Sequence, residues 1–205
     1  MSEKQTEQLV KSEHYQSKLI EDAAQWIKSG LLPQAITKPE QAAVIVLKGR
    51  ELGLEPMQSF DFIDVILGKP SLKPKGMGSL VRRGGVSYTT VKDFEPVKDE
   101  NGQIVDYETA IKFTRRIKHP DGEIEKEENT VSYKWSEAVA MGLTNKANWK
   151  NQPGVMMYWR CFSKGANRVC PDLISGMYTT EEVASFTPNA PTVMITEEGE
   201  AEIIS

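Results

Sequence analysis

Between Val86 and Trp135 the chain alternates β-branched or aromatic residues with polar ones, and the alternation breaks twice, at Asp99-Glu100-Asn101-Gly102 and at His119-Pro120-Asp121-Gly122. Side chains of an extended backbone point to opposite faces in turn, and Asn-Gly and Asp-Gly supply the positive φ that a tight reversal needs. The stretch therefore predicts a three-stranded antiparallel meander. Its middle strand sends Ile111, Phe113 and Ile117 one way and Lys112, Arg116 and Lys118 the other, so one face is core and the opposite face basic.

Helical signals flank this sheet. Over Thr37 to Pro56, Thr37 and Glu40 have capping-box spacing, Gly53 suits a left-handed C-terminal position and Pro56 blocks continuation, so a helix is expected from about 39 to 52. The run Phe60 to Pro74 reads as two short strands joined around Gly68-Lys69. A short helix follows over Lys75 to Gly85, weakened by Gly76 and Gly78, each of which costs about 1 kcal/mol relative to Ala. Ser136 to Leu143 is a short helix ending at Gly142, Pro153 opens a longer one that stops at Pro171, and Thr179 with Glu182 caps a last one from Thr180.

The fold expected is α+β: an antiparallel three-stranded meander plus a short hairpin, flanked by helices. Residues 1–30 form a helical arm that packs on the core or on a neighbouring subunit through Leu19, Ile20, Ala23, Ala24 and Ile27. Residues 31–187 form the core. Residues 188–205, rich in Pro, Asn, Thr and Glu, form a disordered acidic tail.

With 39% hydrophobic and 26% charged residues over 205 positions, the chain can bury a real core. No apolar run reaches membrane-span length and the polar N-terminus is unlike a signal peptide, which points to the cytoplasm. Cys161 and Cys170 stand nine positions apart on one predicted helix, about 13 Å and too far for a disulfide.

The net charge of −4 hides an asymmetry. Seven of the 29 acidic residues lie in 172–205, where Lys and Arg are absent, so the remainder is net basic. Val65 to Lys92 carries Lys69, Lys73, Lys75, Arg82, Arg83 and Lys92 without an acid, and Ala138 to Pro171 carries five cations without one. Two acid-free basic blocks beside an acidic tail suit a polyanion binder. In the second block Arg160, Lys164 and Arg168 recur every four residues, a helical stripe about 12 Å long, with Val155, Trp159, Phe162, Ala166 and Val169 on the opposite side.

Catalytic sets are missing. The two histidines, His14 and His119, support neither a zinc cluster nor a Ser-His-Asp arrangement. Gly68-Lys69-Pro70-Ser71 lacks the glycine and the hydroxyl of a phosphate loop. Asp61 and Asp64, as ligands of a nuclease metal, would sit on opposite faces of a strand. What remains is basic surface interleaved with aromatics. Trp149 and Tyr158 are candidate stacking platforms for unpaired bases beside Lys150 and Arg160, Tyr88 lies near Lys92, and Trp159 and Phe162 are assigned to the core.

The order of signals, Gly49 to Gly85, then a meander, then Gly142 to Glu182, resembles the RecT family of phage single-strand annealing recombinases over about Gln41 to Glu182. Its most specific pieces are Glu51-Leu52-Gly53 with Pro56-Met57, Gly68-Lys69-Pro70, and Pro171-Asp172 with Gly176, Tyr178 and Glu181-Glu182. Gly76, Gly78 and Gly154 depart from the helix formers or charged residues common in relatives. The resemblance implies a β-β-β-α core related to lambda Red beta, ring or filament homo-oligomers, and a basic groove for DNA. It implies ATP-independent annealing of complementary single strands through an annealed duplex intermediate, in the bacterial host cytoplasm, without covalent catalysis or a cofactor. A phage exonuclease and a single-strand binding protein are the implied partners.

Carried to this chain, the groove would draw on Lys69, Lys73, Lys75, Arg82 and Arg83, on Lys112 and Arg116 from the sheet, and on Lys150, Arg160, Lys164 and Arg168, with Trp149 and Tyr158 as stacking residues. The rival expectations are a metal-dependent nuclease and a non-catalytic scaffold of the same recombination module.

Overall fold

The computed structural model describes residues 17–66, 68–186 and 192–204, so the first half of the expected N-terminal arm lies outside the described residues. The chain divides into two compact units, Met1–Asp61 and Phe62–Ser205.

The first unit is helical. α1 spans 17–28, with Leu19 and Ala23 buried and Ile20, Ala24 and Ile27 half-buried. α2 (Pro39–Glu51) starts where expected, but its cap is Lys38, one residue after Thr37: Gln41 Oε1, not Glu40, accepts the N–H groups of Thr37 and Lys38, at 3.0 and 3.1 Å. Its end follows the sequence reading. Gly53 sits at φ 65°, its N–H donates to Arg50 O, and Leu54 N–H reaches back to Gly49 O at 2.8 Å, which together satisfy two orphan carbonyls. α3 (Pro56–Phe62) was not expected; it takes up the first residues of the run read as a strand. Pro56 both ends α2's path and opens α3, the position where its missing N–H is harmless.

The second unit is α+β. β1 (Ile63–Ile66) and β2 (Lys69–Leu72) form the short antiparallel hairpin, with Ile63 opposite Leu72 and Ile66 opposite Lys69. α4 (Pro74–Arg83) follows. Its glycines are explained by close approach: a Cβ on Gly76 would stand 2.6 Å from Phe62 Cβ. β3 (Ser87–Lys98), β4 (Ile104–Lys118) and β5 (Ile124–Lys134) make the antiparallel meander in sequential order. Short helices α5 (Trp135–Ala140) and α6 (Ala147–Asn151) lead to α7 (Pro153–Val169), and α8 (Thr180–Phe186) comes last.

α7 lies on the inner face of the sheet. Ile111 and Phe113 are wholly buried there, and Cys161 donates from Sγ to Thr109 O and Val131 O. Burial pushes the Cys161 thiol up to about 12 and the Cys170 thiol up to about 11, so both free thiols stay protonated and inert. The expected two-sided helix is wrong in one respect. α7 is enclosed on more than one side, burying Met156, Met157, Arg160, Cys161 and Ser163 as well as Phe162, Ala166 and Val169. Val155 and Trp159, assigned to the buried stripe, are only half-buried.

The tail differs from expectation too. β6 (Thr192–Ile195) and β7 (Ala201–Ile204) pair antiparallel with each other, where disorder was expected. β-branched residues at 192, 193, 195, 203 and 204 around Glu197-Glu198-Gly199 are the strand-and-turn signal that the acidic composition obscured. No helix among the described residues is long and apolar enough to cross a membrane.

Candidate nucleic-acid interface

The cations expected to line a groove fall into three groups. Arg160 and the aromatic Trp149 are buried. Arg160 keeps 6% of its surface, with Nε 3.0 Å from Glu181 Oε2, NH1 3.4 Å from Glu182 Oε1, and NH2 donating to Ser185 Oγ at 2.6 Å. The Nε contact is an ion pair without hydrogen-bond alignment. Glu181 also accepts the Trp149 indole N–H at 3.3 Å, and Glu182 accepts from Ser163 and from Thr179 N–H and Oγ1, closing the capping box of α8. Burial holds the Glu181 carboxyl above its usual range, opposed by the Arg160 charge. Arg160 therefore cannot face a phosphate, and Trp149, with none of its surface exposed, cannot stack on a base. The physical reason is α8: its two acids sit against the α7 side that the sequence left open, and an arginine is the partner they need.

The second group is paired at the surface. Lys75 Nζ meets Glu200 at 2.6 Å, Lys112 meets Glu128 at 3.0 Å, and Lys164 meets Glu137 at 2.9 Å while also donating to Ser132 O. Lys92, in the same acid-free block, meets Glu108 at 2.6 Å. Much of the charge segregation along the chain is thus a segregation of partners. The acids of the last stretch fold back onto the cations, as the bidentate pair of Arg115 with Asp172, at 2.9 and 2.5 Å, also shows.

The remaining cations have varied surroundings. Lys69, Arg116, Lys150 and Arg168 are exposed and make no ion pair among the described residues. Lys73, half-buried, opposes the burial that raises the Asp64 carboxyl above its usual range. Arg82 is exposed and lies with its guanidinium 4.1 Å from the centre of the Tyr88 ring, a cation–π contact, and Arg83 follows it at the end of α4.

One trough cannot hold all of these residues. Lys112 and Arg116 alternate with Ile111 and Phe113, so they lie on the sheet face turned away from α7, whereas Arg168 belongs to α7 itself. The outer face carries acids among its cations: Glu128 lies between Lys112 and Lys126, whose hydrogen bonds hold its carboxyl down at about 2.

A smaller set does converge, where α4, the first turns of α7 and a bulge in β3 meet. The register between β3 and β4 slips between Lys92 and Glu95, and Phe94 takes φ 51°, a left-handed conformation that a bulky residue seldom adopts. The Phe94 N–H is held by Thr109 Oγ1 at 3.2 Å, and its ring stacks on Tyr107 at 4.7 Å. The bulge brings Asp93 and Phe94 to a cavity of about 480 Å³ that Gly154, Val155, Tyr158, Trp159 and Glu197 also line. Tyr158 and Trp159 meet edge to face at 5.0 Å. Burial pushes the Tyr158 phenol up to about 12, against the lowering pull of Arg82, so it remains a hydrogen-bond donor at every ordinary pH.

Of the expected site residues, Tyr158, Arg82 and Lys75 belong to this neighbourhood; Trp159, assigned to the core, and Phe94, not singled out, join them. Gly154-Val155 ahead of Tyr158-Trp159 was the available signal, since a small residue one turn before an aromatic pair leaves room beside the rings. No family model, curated protein or solved structure matches this chain.

Proposed function

We propose that this protein binds single-stranded DNA and anneals complementary strands without ATP in phage recombination, acting in the bacterial cytoplasm as a homo-oligomer alongside an exonuclease and a single-strand binding protein. The observation that carries the reading is an aromatic cleft with a cation at its border: Tyr158, Trp159 and Phe94 line an open cavity whose wall also carries Asp93 and Glu197, and Arg82, stacked over Tyr88, lies close enough to Tyr158 to act on its phenol. Rings offer stacking faces to any base, and guanidinium and ammonium groups neutralise phosphates, a combination that suits a flexible single strand better than a rigid duplex. The sequence resemblance over Gln41 to Glu182 and the antiparallel sheet backed by a long helix agree with it.

Base pairing supplies the free energy of annealing. The protein's part is to screen the backbone repulsion between two strands and keep bases accessible, which contacts to phosphate and ring faces achieve without reading sequence. Arg82 and Lys75 are the phosphate contacts of the cleft, Lys69 and Lys73 carry the backbone path beyond it, and Tyr158 and Trp159 are the stacking residues. Lys112 and Arg116, on the far side of the sheet, and the buried Arg160 and Trp149 are excluded from that cleft.

Mixing complementary labelled oligonucleotides with the protein, with and without ATP and with magnesium or manganese, tests the proposal. Full-length strands converted to duplex at equal rates with and without ATP are expected. Shortened products would instead identify a nuclease, and no oligonucleotide binding at low salt a scaffold.

A further inference from the structure

The hairpin of β6 and β7 pairs with no other strand among the described residues, yet its turn is fixed beside the proposed cleft. Lys75 N–H, in the first turn of α4, donates to Gly199 O at 2.9 Å. Lys75 Nζ pairs with Glu200 at 2.6 Å. Gly199 packs closely against Trp159: a Cβ there would stand 2.5 Å from Trp159 Cζ2 and 2.8 Å from Lys75 N, and its φ of 81° favours glycine independently. The same turn places Glu197 in the wall of the aromatic cavity. Glu198, between them in the turn, is held by its own backbone and by Thr196 and feels the Lys75 charge, so one carboxylate and one carbonyl oxygen engage Lys75 while two further acids stand beside them.

A carbonyl oxygen and carboxylates spaced along a tight turn present the chemistry of a short phosphodiester segment: negative oxygens directed at a lysine and at a helix-end amide, next to a ring. We propose that the acidic turn 196–200 is an internal competitor for single-stranded DNA, occupying Lys75 and the space beside the Trp159 ring until a strand displaces it; this rests on the function proposed above.

The hold is of a displaceable kind. The ion pair is half-exposed, with 52% and 42% of the two side chains accessible, and so is weakened by water and salt. A strand making several phosphate contacts gains more than the turn loses. An occupied fraction of about nine-tenths would lower apparent DNA affinity roughly tenfold, since affinity scales with the open fraction.

The test uses the full chain with Glu197→Gln, Glu198→Gln and Glu200→Gln together, and a control with Glu100→Gln, Glu123→Gln and Glu125→Gln, which removes equal charge from the far ends of the sheet strands. Affinity for a fluorescent thirty-base oligo-dT is read by anisotropy. The first variant is expected to bind about tenfold tighter than the unaltered protein and the control by less than about twofold. Equal tightening in both variants, or none in the first, would overturn the internal competitor while leaving DNA binding standing. If no form binds at low salt, the proposed function itself fails and takes the competitor with it. Hydrogen exchange on the unaltered protein gives an independent reading: oligo-dT is expected to release the Gly199 and Glu200 amides from protection, and unchanged protection at saturating DNA contradicts displacement.

Discussion

Arg160 Nε and Glu181 Oε2 lie 3.0 Å apart in an interior where the two side chains keep 6% and 4% of their surface. Desolvating an ion pair costs about as much as the attraction returns, so the pair adds little net stability, but losing one partner strands the other charge. Arg160→Ala, which leaves Glu181 and Glu182 buried without their cation, is expected to cost about 3–5 kcal/mol in urea unfolding. Lys164→Ala, at a pair whose side chains are 43% and 41% exposed, should cost less than about 1 kcal/mol. Equal small costs would place Arg160 on the surface after all.

Close packing of α7 on the sheet makes its own demand. A Cβ on Gly165 would stand 2.1 Å from Phe113 Cε2, and Phe113 is itself wholly buried. Gly165→Ala improves intrinsic helix propensity by about 1 kcal/mol, yet it is expected to destabilise by about 1–3 kcal/mol because the ring has nowhere to move. Stabilisation by the substitution would show the helix and sheet to be further apart than described.

Helix and strand periodicity made most of the fold legible. The alternation at Ile111, Lys112 and Phe113 gives the meander and its inner face, Gly53 the end of α2, Pro153 the start of α7, and Thr179 with Glu182 the start of α8. What failed was the assignment of open faces. Periodicity marks Arg160 as polar but cannot show that Glu181 and Glu182, over twenty residues on, fold against it. Composition marks 188–205 as acidic but not that its turn docks at Lys75. Trp149 and Trp159 exchange their expected roles for the same reason: α6 tucks the first under Glu181, and the β3 bulge leaves a cavity beside the second. Local pattern fixes elements; long-range partners decide which of their polar residues reach water.

The outer sheet face carries a pH signature. Hydrogen bonds from Lys126 and Lys112 depress the Glu128 carboxyl to about 2, from an ordinary value near 4.5. A depressed carboxylate contributes its stability above the unfolded pKa and loses it as pH falls through the folded one, so this contribution fades between about pH 4.5 and 2. A carbon-detected NMR titration should find the Glu128 midpoint near 2, and Lys112→Gln should move it upward. A midpoint near 4.5 would mean that neither lysine holds it.

The two faces of the sheet are expected to differ in DNA binding. Tyr158→Ala and Arg82→Ala each remove a cleft group, and the loss of one base stack is worth about 1–3 kcal/mol, so oligo-dT affinity should fall roughly five- to a hundredfold for Tyr158→Ala. The pair Lys112→Ala and Arg116→Ala, on the far face, should lower it less than about threefold in fluorescence anisotropy. The reverse order would move the interface to the open sheet.

Salt dependence tests the phosphate-and-ring cleft most directly. With about four phosphates neutralised, log affinity for oligo-dT should fall against log salt with a slope of about −3, and Arg82→Ala should reduce that slope by about 0.7. A flat dependence, or a slope that Arg82→Ala leaves unchanged, would contradict the cleft as the seat of single-strand binding.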